Sequence, residues 1–344
     1  MGTCTLWVES IVVTTVKVAI FHNRDGISIM YCGAVNGEDV GVAVPCMNHP
    51  LEDRFSGRRG ITMKEYYLGL MGLRIVLRTP HNITISENLQ PFLCEKHDAV
   101  DCEIDLKACC RLPDFCETGV WHGLEYYDCC QGTLRVFHCN APETAAFAVT
   151  QLFQNGNVEI SVLPDHLSWF SGTEGIFNRI GMETLLLQHK GLLLHASLIK
   201  YAGKAIAFAG PSGVGKSTHA NLWKEHMDAL IINGDRAALR NTENGWMAFG
   251  SPYAGTSGIY VNDNGPLAAI VLLQQAGENR LREISATETF QHIYPELSVH
   301  QWDKNFVADA TDLCLRMLTE IPVYMLQCRP DADAALLVKK GLGL

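Results

Sequence analysis

From residue 192 onward, apolar runs of strand length alternate with segments of helical period, the order expected of an α/β layered domain. Residues 192–199 and 205–209 read as strands, a helix runs from Ser217 to about Met227, and residues 230–233 form a short apolar strand. Two further runs, 237–240 and 246–249, flank a segment whose Asn244-Gly245 tip signals a hairpin. Residues 267–273 are rich in Val, Ile and Leu, as a buried strand requires. Helical spacing returns at 286–293 and 308–318, a strand is expected over 323–327, and Pro330-Asp331 opens a last amphipathic helix ending near Lys340.

The preceding half is less regular. Residues 66–164 carry short alternating runs, such as 73–77 and 157–162, between polar turns, which predicts a small mixed or mostly β domain. Residues 175–189 follow as a helical bridge, with Phe177, Ile180, Leu185 and Leu186 at helix-like spacing. The first 62 residues fit neither part, and 26–60 hold six glycines with little sustained periodicity. Arg58-Arg59-Gly60, shortly before Met63, is what a purine-rich ribosome-binding sequence would encode. Met63 is therefore the expected native start, which N-terminal sequencing of native protein would test. The expected organisation is an extension (1–62), a mixed domain with the bridge (63–190) and a P-loop domain (191–344).

Composition narrows the function. With 344 residues, 47% hydrophobic and 19% charged, the chain has material for a sizeable core, which excludes disorder, collagen and coiled coil. Lys and Arg number 27 against 37 Asp and Glu, a net charge of −10 with no basic stripe, so duplex nucleic acid is not an expected partner. The apolar stretch 11–21 is broken by Lys17 and too short for a membrane span, and it has neither the basic flank nor the cleavage site of a signal peptide. The expectation is a cytoplasmic protein. Eight of thirteen cysteines fall between Cys94 and Cys139, with no CxxC and with the vicinal pairs Cys109-Cys110 and Cys129-Cys130, a pattern that suits structural thiols better than zinc or disulfides.

The strongest chemical signal is Gly210, Pro211, Ser212, Gly213, Val214, Gly215, Lys216, Ser217 and Thr218, which satisfies GxxxxGK[ST] between a predicted strand and a predicted helix. Glycines let the backbone turn its N–H groups toward phosphate, and the helix N-terminus adds partial positive charge. Lys216 would reach the β- and γ-phosphate oxygens, and Ser217 would offer its hydroxyl to Mg²⁺. Asp235 follows the strand 230–233 and reaches the same sheet edge, as a metal holder or as a turn aspartate. Arg236 is either a neutraliser of transferred charge or an exposed strand arginine. His195 lies amid leucines on the strand before the P-loop strand, as a core histidine or as a functional one. Gly250-Ser251-Pro252-Tyr253-Ala254-Gly255 has the narrow, flexible backbone of a loop lining a ligand cleft, or of a plain turn; Ser251, Pro252, Tyr253 and Gly255 are the candidate substrate contacts. His219 and Trp223 share a helix face, with Trp223 expected in the core, and Arg280 is expected in a salt bridge.

His195, Gly210 opening the phosphate loop fifteen positions on, and Ile232-Asn-Gly-Asp235-Arg236 after one helix resemble the catalytic domain of bacterial HPr kinase/phosphorylase. Lys216-Ser-Thr-His-Ala-Asn-Leu-Trp223, Phe249-Gly-Ser-Pro-Tyr-Ala-Gly255 and Glu278-Asn-Arg280 look closer to the HPr-kinase-like proteins found beside peptide-modification genes. The likeness covers about 192–342 and reaches more weakly back to Met63 through residues 68–91. It implies the fold shared with phosphoenolpyruvate carboxykinase and an ATP- and Mg²⁺-dependent kinase. The implied acceptor is a Ser or Thr hydroxyl, or a terminal group, of a peptide or small protein. It further implies that His195 and the acid at the strand end sit near the acceptor.

Two departures qualify the resemblance. The family usually has two consecutive acids where this chain has Gly234-Asp235, so one carboxylate is left both to hold the metal and to take the acceptor proton. His195 or the substrate itself is then the alternative base. The glycine-rich Arg-Gly signature linked to HPr recognition is also missing, which argues against HPr as the substrate. The alternative function is a nucleotide-binding sensor that turns over slowly or never; a carboxykinase-like enzyme ranks third, because no dicarboxylate-binding arginine set is recognised.

Overall fold

The computed structural model describes residues 8–13, 16–23, 26–32, 63–115, 120–122, 125–128, 133–139, 145–170 and 173–344. Backbone contacts divide the chain into two compact units, Met1–Pro50 and Leu51–Leu344. In the first, β1 (Val8–Val13), β2 (Val16–Asn23) and β3 (Gly26–Cys32) form an antiparallel sheet in sequence order, where the sequence predicted no element. The Arg58-Arg59-Gly60 segment lies outside the described residues.

The second unit begins with eight strands: β4 (Lys64–Leu70), β5 (Leu73–Thr79), β6 (Cys102–Ala108), β7 (Val120–His122), β8 (Glu125–Asp128), β9 (Thr133–His138), β10 (Ala146–Leu152) and β11 (Val158–Val162). Their order is β4-β5-β6-β11-β10-β9-β8-β7, parallel at β5–β6 and β6–β11 and antiparallel elsewhere. The period of two decides which face is buried: Cys102, Ile104 and Leu106 point into the core while Lys107 stays exposed. The hairpin joining β4 to β5 turns on Met71 (φ 53) and Gly72 (φ 73), the doubly left-handed conformation that suits the twist of a two-residue connection.

Residues 175–189 are not the single helix that their spacing predicts. Thr173–Phe177 makes one wide turn, and α1 spans only Met182–Gln188. Gly181 between them sits at φ 74, a left-handed conformation that interrupts a right-handed helix. Phe177, Ile180, Leu185 and Leu186 are nonetheless all buried in the core under the first sheet.

The remaining elements, apart from β18, where the sequence predicted no strand, alternate as expected: β12 (Gly191–Tyr201), β13 (Lys204–Ala209), α2 (Lys216–Met227), β14 (Leu230–Asn233), β15 (Arg236–Thr242), β16 (Gly245–Phe249), β17 (Asn264–Gln275), β18 (Arg280–Glu283), α3 (Ala286–Ile293), α4 (Lys304–Glu320), β19 (Val323–Cys328) and α5 (Ala332–Gly341). The second sheet runs β13-β12-β15-β16-β17-β19-β18, with β14 added to β12. Strand β17 pairs with β16 at its start and with β13 and β19 further along, so the strands close back on β13. Alternation on β13 separates two cores. Ala205, Ala207 and Ala209 face Phe306, Ala310, Leu313 and Met317 of α4, while Ile206 and Phe208 face Trp223 of α2 and Val338 of α5. Trp223 is therefore a core residue, fully buried. Side-chain oxygens of Ser285, Asp303 and Asp331 accept N–H bonds at the N-termini of α3, α4 and α5.

Both sheets of this unit share a core across residue 190, where the sequence placed a boundary between two domains. Leu193 and Ala238 of the second sheet pack into the first sheet's core, with Phe249 and Tyr253 against them. Arg240 Nη1 donates to Gly72 O at 2.6 Å and Met71 O at 3.3 Å, and Asn88 Nδ2 donates to Pro252 O at 3.0 Å. The fold is thus mixed α/β with two mixed sheets. Among the described residues no helix is long and apolar enough to cross a membrane.

Candidate functional site

Strand register brings the sequence-predicted residues together. Ala209, the last residue of β13, pairs with Ala196 of β12, and the adjacent His195 pairs with Arg236 of β15. The loop that leaves β13 at Gly210, the His195 side chain and the Asp235-Arg236 pair therefore meet at the middle of β12, where its pairing passes from β15 to β13. On β12, His195 shares a face with Leu193, which packs on the first sheet's core, and Ile199, which packs under α2. His195 sits between those two cores, one-third exposed, so it is not an enclosed core histidine.

The loop 210–215 joins β13 to α2 as expected. Gly210 (φ 137), Gly213 (φ 79) and Gly215 (φ 112) all take left-handed conformations, and Gly215 is the N-cap of α2. Lys216 opens the helix, is buried, and donates from Nζ to Gly210 O at 2.7 Å and Pro211 O at 3.2 Å. Burial pulls its pKa below the ordinary lysine value, against the opposing pull of Glu296 and Asp235. Ser212, Ser217 and Thr218 are exposed. Gln275, at the end of the parallel neighbour β17, donates to Gly213 O at 3.3 Å and Val214 O at 3.4 Å. That strand ends in two glutamines, so the acid near the loop comes from the β14–β15 turn instead.

The position of Asp235 is over-determined by a residue that sequence reasoning passed over. Asn233, fully buried, accepts through Oδ1 from Asp235 N (2.8 Å) and Arg236 N (2.7 Å), and donates through Nδ2 to Ser251 O (2.9 Å) and Tyr253 O (3.2 Å). Ala196 N donates to Asp235 O at 2.9 Å. The Asp235 carboxylate lies 3.6 Å from His195 Nε2 through Oδ1 and 3.6 Å from Arg236 Nε through Oδ2. Arg236 is held in turn by Nη1 donating to Ser298 Oγ at 2.7 Å.

A second carboxylate, invisible to motif reading, completes the cluster. Glu296 Oε2 lies 2.9 Å from His195 Nδ1, and the Glu296 side chain is only 12% exposed. It follows α3 in a short turn, and the bridge Leu194↔Leu297 with Ser298 N donating to Leu193 O at 2.9 Å docks that turn beside β12. The separation of 101 positions leaves no sequence signal for the pair.

Gly234 and the 250–255 segment also acquire physical reasons. A Cβ on Gly234 would come within 2.0 Å of Ser257 Oγ, so the backbone accepts no side chain there while Ser257 stands. Gly255 (φ 53) is exposed and lies against Asp235, whose Cγ would be 2.6 Å from an added Cβ. Ser251 and Pro252 are buried; Ser251 Oγ donates to Arg236 O at 2.7 Å. The Tyr253 hydroxyl donates to Phe177 O at 3.2 Å, and burial pushes its pKa up. Of the four candidate substrate contacts, Gly255 alone is both exposed and beside the acid.

The other polar candidates lie apart. Among the described residues Arg280 makes no ion pair, whereas its neighbour Arg282 pairs with Glu288 at 2.5 Å. Cys102 and Cys314 are buried, which pushes both thiols up to about 12, while Cys94 and Cys110 are exposed and free. Cys116, Cys129 and Cys130 lie outside the described residues. Among the described residues no group of three or more His, Cys, Asp or Glu is placed to hold a metal ion.

No family model matches the sequence, and no curated protein sequence matches it. Among solved structures, the HPr(Ser) kinase/phosphatase from Coxiella burnetii is similar over 43% of this chain and 91% of its own, at 12% identity and a TM-score of 0.25, a distant structural likeness.

Proposed function

We propose that this chain is an ATP- and Mg²⁺-dependent phosphotransferase of the HPr-kinase type, passing the γ-phosphoryl group to a Ser or Thr hydroxyl, or a terminal group, of a peptide or small protein. One observation carries the reading: β-register sets the glycine loop and Lys216, His195, and the Asp235-Arg236 pair side by side where β12 passes from β15 to β13. Gly213 and Gly215 have open space where another residue would carry a Cβ, and the first turn of α2 holds no acid, features that suit a polyphosphate against backbone N–H groups. Ser217 and Asp235 are hard oxygen donors of the kind Mg²⁺ takes, and a bound Mg²⁺ would neutralise charge on the phosphates. Lys216 would turn from the loop carbonyls to phosphate oxygens, and Arg236 would lie near the transferred group. Gly255, narrow and exposed beside Asp235, would let the acceptor approach, with the β4–β11 sheet helping to select it.

The test is a single-turnover assay with γ-labelled ATP and a peptide library, beside calorimetry with Mg²⁺ and a non-hydrolysable analogue. Label transfer to peptide is the expected result. Binding without any transfer would favour the second reading, a nucleotide-sensing regulatory protein, for which the specific observation is Gly234 in place of a second acid. No binding at all would refute both.

A further inference from the structure

We propose that Glu296 is the positioning residue that makes His195 the base of this site, an inference that rests on the phosphotransferase reading. An ionised carboxylate only accepts hydrogen bonds, so at 2.9 Å from Glu296 Oε2 it is His195 Nδ1 that carries the proton and donates. The Nε2 lone pair is thereby left bare on the side of Asp235, whose Oδ1 lies 3.6 Å away, beyond a hydrogen bond. The two carboxylates sit at opposite nitrogens of one ring. They divide the work that a lone acid would have to combine. Asp235, two-sevenths exposed at 29% and next to Arg236, is left for the metal; Glu296, at 12%, is turned into the protein against the imidazole.

The placement explains how the site works with glycine at 234. Ser257 occupies the space that an acid there would need, and a carboxylate from the far side of β12 supplies the second negative charge instead. In the transfer step the acceptor O–H bond breaks and its proton passes to His195 Nε2. The acceptor oxygen bonds to the γ-phosphorus as the bond from that phosphorus to the bridging oxygen breaks, and the electron pair leaves with ADP. Glu296 stabilises the imidazolium so formed, at a distance where the paired charges interact strongly in a partly buried setting. Asp235, from the turn before β15, faces the ring's other nitrogen with Arg236 against its second oxygen, and Lys216 of α2 is close enough to feel both acids.

Two measurements separate this inference from the function it rests on. Nitrogen-15 NMR of histidine-labelled full-length protein, with His195 assigned by loss of its signals in His195→Gln, reads which ring nitrogen bears the proton in the neutral ring. We expect Nδ1–H in the wild type, Nε2–H in Glu296→Ala, and Nδ1–H again in Glu296→Gln, which keeps the acceptor and the shape. A wild-type ring protonated at Nε2, or an unchanged tautomer in Glu296→Ala, overturns the inference. In phosphoryl transfer, Glu296→Ala should lower kcat about 10²-fold with KM for ATP unchanged, and should cost nothing further in a His195→Ala background. Equal losses in both backgrounds would overturn the coupling. A wild-type chain that transfers no phosphate refutes the phosphotransferase reading, while the NMR result still decides the Glu296–His195 pairing.

Discussion

Gly234→Ala is the sharpest test of how the site was assembled, because the cost can be built from distances. An added Cβ would stand 2.0 Å from Ser257 Oγ and 2.5 Å from Ser257 Cβ, against an ordinary contact of about 3.5–4 Å. Ser257 would have to move by more than an ångström. That shift would break the bond from its Oγ to Ala254 O (2.6 Å) and the one it accepts from Ile259 N (3.2 Å). Each bond is worth about 0.5–1.5 kcal/mol net, and overpacking adds about 1–3 kcal/mol, so the expected destabilisation is about 2–6 kcal/mol. In a Ser257→Gly background the obstacle is gone, and Gly234→Ala should cost less than about 1 kcal/mol; the coupling between the two sites, the difference of those costs, should be about 1–6 kcal/mol. Denaturant midpoints of the four proteins in the double-mutant cycle give the numbers. A Gly234→Ala chain within about 0.5 kcal/mol of wild type, or an equal cost in both backgrounds, would refute the steric account. Gly234→Asp alone should likewise fail to raise phosphoryl transfer, because the acid cannot be seated.

Other consequences are as direct. Lys216→Ala should weaken binding of Mg²⁺-ATP by calorimetry, whereas Asp235→Asn should spare binding and cut transfer by about 10²-fold or more; wild-type transfer in both variants would show that the site lies elsewhere. Gly255→Ala adds strain at φ 53 and a Cβ 2.6 Å from Asp235 Cγ, so transfer should fall while analogue binding holds, as the two assays run in parallel would show. His219 is buried and among the described residues its Nε2 has no hydrogen-bond partner; burial lowers its pKa to about 4, from an ordinary value near 6.5. Above pH 6.5 the ring is neutral in folded and unfolded chains alike and contributes no pH dependence. Between 6.5 and about 4 the unfolded chain binds the proton and the folded one resists it, so stability is lost as pH falls, by up to about 3 kcal/mol. Equilibrium unfolding across that range should show a shallower loss in His219→Leu, and an identical slope would contradict the burial argument.

The sequence by itself determined what depends on neighbours along the chain. The strand-loop-helix around Gly210–Lys216, the hairpin at Asn244-Gly245 and the buried strand over 267–273 all follow from the run of side chains and from glycine's access to positive φ. Local reading failed where a backbone conformation cut across a good pattern, as Gly181 does in the bridge. The tertiary structure alone decided which groups meet His195. Glu296 reaches it only because the turn after α3 is docked on β12 through Leu297 and Ser298, and Gly234 stays bare only because Ser257 folds over it. Such partners are selected by long-range packing, whose energy is nondirectional and spread over many side chains, so no spacing in the chain records it.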